Sequence, residues 1–275
     1  ILSICPGMCG LERGFERACE RIGWRRPITA AYVEIEAFIA YNLVKQMEQG
    51  VLDAAPVHTN VKTFDGSMLR NRIDAIFGGY PCQPFSIVGL RKGDADPRHL
   101  WPFIGKGENS IIGTTKPIFC FFENVPGHIT KGFDEVYRDL SDLGYAVEPG
   151  IFSAEEVGAN HQRKRLFILA IKKETLGYAK RSGLEGHAWN GLAAERWQEK
   201  SRSIAEASVF PSGPGGVPKY FEAEKIIESG LCFTVNGYNF REDLLRMAGN
   251  GVVEQTAELA FITLLEKQLK NIDNI

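Results

Sequence analysis

The sequence predicts an α/β fold of the doubly wound kind, and three observations carry the prediction. Short apolar runs of strand character recur through residues 1–171. Helical patterns separate them, and no internal repeat points to a solenoid. Strand, helix and strand repeated in this way build a parallel sheet with helices on both faces. The first run, "ILSIC" (1–5), precedes a helical pattern from Leu11 to about Arg21. "TAAYVE" (29–34) leads into a helix on which Ile39, Leu43 and Met47 recur every four residues. "HTNVKTF" (58–64), "IDAIF" (73–77) and "PIFCFFE" (117–123) follow as strands. Phe133, Val136, Tyr137, Leu140 and Leu143 then mark one face of a helix, and "AVEPGIF" (146–152) and "RLFILAI" (165–171) complete the series. Beyond residue 171, glycine, serine and proline multiply, and periodicity returns only near residue 240 and from about Val252 to Leu269. This predicts three parts: a main domain over 1–171, a loop-rich inserted lobe over 172–238, and helices over 239–275 that return to the sheet.

Composition narrows the function classes. The chain has 275 residues, 44% of them hydrophobic and 24% charged, which suits one buried core with a smaller lobe. No apolar run approaches the roughly 18 residues of a membrane span, and "ILSIC" lacks the flanks of a signal peptide. A soluble, unsecreted, cytoplasmic protein is expected. The missing initiator methionine suggests a trimmed or fragmentary N-terminus with little lost. Six cysteines (Cys5, Cys9, Cys19, Cys82, Cys120, Cys232) contain no CxxC pair, so reduced thiols are expected and no metal site. The net charge is only −2, yet residues 160–202 carry ten Lys/Arg against four acids. A local excess of +6 on a body of −8 fits either contact with a polyanion on one face or a plain solvated surface. Trp189, Trp197, Tyr220 and Phe221, interleaved with basic residues, fit a nucleic-acid surface or a small core of the lobe equally well.

In an open α/β sheet, ligands bind outside the carboxyl ends of the strands. After the first strand, "CPGMCG" places Gly7 and Gly10 in a tight turn that a ligand can approach. After the second stands Glu34, placed to grip ribose hydroxyls, and after the third Asp65, placed to meet a base. Singly these residues also fit a turn, a helix start and a turn former; together they read as a nucleoside site. After the fourth strand comes "GYPCQPFS" (79–86), and after the fifth "ENVPG" (123–127). A thiol and a carboxylate delivered to one rim suggest covalent catalysis with acid assistance. Free cysteines are usually small buried residues. The prolines beside Cys82, the polar Gln83 and Ser86, and the charged stretch "GLRKGDADPR" that follows all fit burial poorly.

The series "CPGMCG", Glu34, Asp65, "PCQPFS", "ENV", "HQRKRLF" and "AGNGVV" (248–253), in that order, resembles the DNA (cytosine-5)-methyltransferase family. The resemblance implies a mostly parallel, Rossmann-like methyltransferase sheet with a small inserted target-recognition lobe, of a compact prokaryotic or phage type. It implies S-adenosylmethionine as cofactor and duplex DNA as partner. Cys82 matches the nucleophile that adds to carbon 6 of a flipped-out cytosine, Glu123 the group that meets N3, and Arg163 and Arg165 the arginines that hold the base and order the nucleophile loop. The cofactor site implied comprises Cys5, Pro6, Gly7, Met8 and Gly10 from the first turn, then Glu34, Ile35, Asp65 and Gly66. Pro81, Leu100, Asn250 and Val252 complete it. Residues 83–98, with Ser86, Gly89, Gly93 and Arg98, match the loop that closes over the base, and Asn124 and Val125 match residues that shape the strand end. The chain departs from the family pattern at Cys5 and Cys9, where Phe and Gly are usual, at His161 for Gln, and at Glu254 for Pro. The resemblance further implies a monomer, in a prokaryotic or phage-infected cell, with any cognate restriction endonuclease acting separately. An RNA (tRNA) cytosine-5 methyltransferase and a catalytically silent DNA-binding relative are the alternative readings.

Overall fold

The computed structural model describes residues 1–81, 99–159, 161–181 and 251–271. Among them, seven strands form one sheet in the order β3-β2-β1-β4-β5-β7-β6. The strands are β1 (Leu2–Ile4), β2 (Ala31–Val33), β3 (Val57–His58), β4 (Ala75–Gly78), β5 (Phe119–Asn124), β6 (Tyr145–Ser153) and β7 (Lys164–Lys172). The helices, in chain order, are α1 (Gly10–Ile22), α2 (Ala37–Glu48), α3 (Trp101–Ile104), α4 (Ile111–Thr115), α5 (Phe133–Asp142), α6 (Lys173–Arg181) and α7 (Glu254–Lys270).

Period-2 side-chain alternation sorts the apolar residues into two buried layers. Ile4, Ile76, Phe122 and Ile168 face α3, α4 and α5, where Trp101, Ile104, Ile112, Val136 and Leu140 are buried. Phe77, Phe121, Phe167 and Leu169 face the other way, onto Phe15 and Ala18 of α1 and Ala257, Phe261 and Leu264 of α7. On that same side Tyr32 meets Leu43, and Ile39 and Met47 pack against the pair, which seats α2 on its every-fourth-residue stripe. Burial on both faces explains why the strands read as continuous apolar runs.

The sheet is mostly parallel, as expected: β1 to β5 pair in parallel, and β7 runs antiparallel between β5 and β6. Only a short 3-10 turn (Ala154–Val157) and a few residues join β6 to β7, whereas a parallel crossover needs a dozen residues or more. The third strand ends at His58 rather than Phe64. Asn60 accepts a hydrogen bond from the Lys62 amide at 2.9 Å and turns the chain into a 3-10 helix (Val61–Thr63). Helix α6 follows β7 directly, with Leu176 buried in the core and Glu174 in its first turn, at the positive helix end. The lobe beyond residue 181, its aromatic residues, the helix near 240, Cys82 and residues 83–98, and Asn250 lie outside the described residues. Of the basic stretch, Arg163, Lys164, Arg165, Lys172, Lys173, Lys180 and Arg181 fall within them.

Helix α7 lies against α1 closely because α1 carries glycine at the contact. A methyl group on Gly10 would stand 2.2 Å from the Val252 carbonyl oxygen, and one on Gly14 would stand 2.5 Å from the Ala257 methyl. An ion-pair ladder runs beside the contact, from Arg13 to Glu254 at 3.3 Å and from Arg17 and Arg21 to the buried Glu258 at 3.0 and 2.6 Å. Among the described residues no helix is long and apolar enough to cross a membrane.

Candidate active site

Strand order reverses between β1 and β4, so the loops after these strands diverge and leave a crevice. The register aligns Ile4 with Gly78, and Gly78 with Phe122. Cys5, Gly79 and Glu123, each one residue further on, therefore come to one rim. A cleft of about 580 Å³ opens there.

Of the residues expected to bind a cofactor, Cys5, Pro6, Gly7, Glu34, Ile35, Pro81, Leu100 and Val252 line this cleft. Gly7 has φ +55° and nothing within 4 Å of where a side chain would begin, so the turn leaves its backbone open to a ligand. Cys5 and Cys9 also have positive φ, 52° and 57°, which costs an L-residue some strain. Burial pushes the Cys5 thiol up to about 12, with nearby Glu34 adding to the effect, so this sulfur stays a neutral thiol. Glu34 is buried at the end of β2, and its Oε1 accepts the Glu36 amide at 2.8 Å. Desolvation raises its pKa, while the amides of Glu36, Ile35 and Gly7 oppose the rise.

Four expected residues do not line the cleft. Asp65 is exposed, and its carboxylate caps a 3-10 turn by accepting the Ser67 amide at 2.9 Å. Gly66 is buried against Thr114 and Thr115, and Gly10 makes room for Val252 rather than for a ligand. Met8 stands in the turn, outside the cleft lining. Among the lining residues that the sequence reading missed are Phe38 and Ile39 of α2, and Asn60, Val61 and Lys62 after β3. With β3 ending at His58, the position just beyond the strand falls to Asn60 instead of Asp65. Its capping bond to Lys62 is the signal that would have placed the strand end correctly.

The acid and the arginines come together on the other side of the rim. Glu123, the fifth residue of β5, is 7% exposed and pairs with Arg165 of β7, Nε to Oε1, at 2.7 Å. The antiparallel register sets Glu123 opposite Phe167, two residues from Arg165, so both side chains project from one face. Burial pushes the Glu123 carboxyl up to about 7, more than Arg165 and Arg163 pull it down. A carboxyl held there can donate a proton near neutral pH. Arg163 donates to the Gly251 carbonyl at 2.5 Å, tying β7 to the segment that carries Val252. Asn124 donates to the Tyr80 carbonyl at 3.1 Å and accepts the Val125 amide at 2.8 Å, which fixes the ends of β4 and β5 to each other.

Fold and site together define a class: a doubly wound α/β domain with a nucleoside-sized cleft at its switch point and a buried acid–arginine pair on the rim. The chain belongs to the family of C-5 cytosine-specific DNA methylases, whose model matches residues 1–211. Enzymes of this family take their methyl group from S-adenosylmethionine. The chain is 38% identical over 111 residues to the Type II methyltransferase M.AplI of Arthrospira platensis, covering 39% of this chain and 31% of the relative. It is 26% identical over 239 residues to M.NaeI of Lentzea aerocolonigenes, covering 78% of this chain and 53% of the relative. The chain thus spans about half or less of the length of these relatives. The Dnmt2 methyltransferase of S. pombe shares the fold, with a TM-score of 0.57, 15% identity, and coverage of 97% of this chain and 98% of that one.

Proposed function

We propose that the chain methylates carbon 5 of cytosine in a specific sequence of duplex DNA. The observation that carries this reading is Glu123, a buried carboxyl with a pKa near 7, set beside Arg165 on the rim of a nucleoside-sized cleft in a member of this family. Carbon 5 of cytosine is a poor nucleophile. Addition of the Cys82 thiolate to carbon 6 would turn carbon 5 into an enamine-like carbanion, and charge would build up on the ring. Glu123, protonated, would donate to N3 and neutralise that charge, with Arg165 holding the carboxyl in place. Arg163 and Arg165 would also meet the base oxygen and a nearby phosphate. Carbon 6 is inaccessible inside a duplex, so the target base has to leave the stack, at a cost of a few kcal/mol.

S-adenosylmethionine, when bound, supplies the methyl group that carbon 5 takes. The cleft fits it on three grounds. The Glu34 carboxylate can accept from ribose hydroxyls, the apolar wall of Phe38, Ile39, Leu100 and Val252 can cover an adenine face, and the open Gly7 backbone can approach a charged amino-acid tail. Asn60 takes the base-facing place first expected of Asp65. Asn250 stays in the proposed set on the family pattern alone.

The test is expression in a bacterium without cytosine methylation, with 5-methylcytosine read across the genome by bisulfite sequencing. Methylation concentrated in one short motif, and absent with Cys82→Ala, is the expected result. A folded chain that binds S-adenosylmethionine yet leaves the genome unmethylated would overturn the reading, in favour of an RNA substrate or a binding role.

A further inference from the structure

Tyr80 is the last residue before Pro81 and Cys82, and it is held more firmly than a strand end requires. Its ring, 4% exposed, is boxed by Trp101 at 5.3 Å, Phe122 at 5.6 Å and His128 at 5.7 Å between centroids. Trp101 is itself fixed, its indole nitrogen donating to Asp139 at 2.8 Å. The Tyr80 carbonyl accepts from Asn124, the residue after Glu123. The Tyr80 hydroxyl lies 3.1 Å from Nε2 of His128, and Nδ1 of His128 lies 3.1 Å from the Lys131 carbonyl.

The direction of these last bonds follows from chemistry. A carbonyl oxygen only accepts, so Nδ1 of His128 carries the hydrogen. In the neutral ring Nε2 is then an acceptor, and the Tyr80 hydroxyl donates to it. The histidine sits in the 3-10 turn Pro126–Thr130 that follows β5, so this bond joins the residue before Pro81 to the loop just beyond Glu123.

We infer that Tyr80 and His128 are positioning residues for methyl transfer: the hydroxyl–imidazole bond, with the Asn124 bond beside it, sets the distance between Pro81, just beyond β4, and the carboxyl of Glu123. The inference rests on the function proposed above. A nucleophile leaving β4 and a proton donor leaving β5 must reach two atoms of one flat ring, so their spacing tolerates little error. Two bonds just beyond β4, one to the Tyr80 backbone and one to its side chain, remove the freedom to slide and to twist.

The test is a set of conservative variants read by the rate of tritiated methyl transfer to duplex DNA at saturating concentrations, alongside the dissociation constant for S-adenosylmethionine and the nitrogen NMR signals of the His128 ring. Tyr80→Phe keeps the aromatic box and removes one hydroxyl. Its kcat should fall about tenfold with cofactor affinity within about twofold of wild type. His128→Gln can still accept from Tyr80 and should retain at least half of the wild-type kcat, whereas His128→Leu should fall as far as Tyr80→Phe. The double variant Tyr80→Phe/His128→Leu should be no slower than either alone, because one bond is removed in all three. In the wild type the ring should give one protonated signal, at Nδ1. The inference is overturned by a Tyr80→Phe kcat within twofold of wild type, by equal losses in the Gln and Leu variants, or by a ring protonated at Nε2 alone. Should His128→Leu fail to fold, Tyr80→Phe and the ring signals decide. A wild-type chain without methyl transfer overturns the proposed function and this inference together. An active wild type with an unaffected Tyr80→Phe overturns this inference alone.

Discussion

Replacing Gly14 by alanine tests the packing that holds the returning helix to the sheet. The new methyl would stand 2.5 Å from the Ala257 methyl and 2.6 Å from the Glu254 carbonyl oxygen. Carbon atoms in contact sit about 3.5–4.0 Å apart, so α1 and α7 would have to part by about 1 Å. Neither neighbour can rotate away, since one is a Cβ and the other backbone. Overpacking of this kind costs about 1–3 kcal/mol. Alanine recovers about 1 kcal/mol through helix propensity, but the separation also lengthens the pairs from Arg17 and Arg21 to Glu258. The net expectation is a loss of about 1–2 kcal/mol, or a Tm lowered by about 2–8 °C, read by circular dichroism melting. A Tm unchanged or raised would refute the reasoning, because propensity alone predicts a rise.

Glu123→Gln should lower kcat by about 100-fold or more, since it removes the proposed proton donor. It should also change the pH dependence of stability. The folded carboxyl holds its proton up to about 7 against an ordinary 4.5, so its contribution to stability is complete below 4.5 and is lost as pH rises through about 7. Chemical denaturation across that window should show this decline in the wild type and not in the variant. Glu258→Ala should destabilise the chain by about 2 kcal/mol in urea denaturation. That is less than the about 3–5 kcal/mol of a fully buried pair, because Arg17 and Arg21, with side chains 40% and 19% exposed, can rehydrate. Glu34→Ala should weaken S-adenosylmethionine binding by about 10–100-fold in titration calorimetry, the worth of a hydrogen bond or two to a charged group.

The sequence alone established the alternation of strands and helices, because a strand buried on both faces reads as a short continuous apolar run and a helix buried on one face as a stripe of about every fourth residue. It also marked Glu123 as a carboxylate at a strand end, whereas Arg163 and Arg165 were singled out only through the family resemblance. The antiparallel β7 was legible too, had the short link between Ser153 and Lys164 been weighed against the length of a crossover. Strand ends were less legible: nothing apolar distinguishes His58 from Phe64 as the end of β3, and the decision lay in one capping bond from Asn60. Which residues meet was decided only by the tertiary structure. Gly10 reads as a turn for a ligand until Val252, just ahead of α7, is seen to lie against it, and Tyr80 and His128, 48 residues apart, form a bond only because β4 and β5 pair in register. Local chemistry sets what each residue can do, and it acts within a few residues of the chain. The company each keeps depends on strand order and register, which are settled by packing the whole sheet at once.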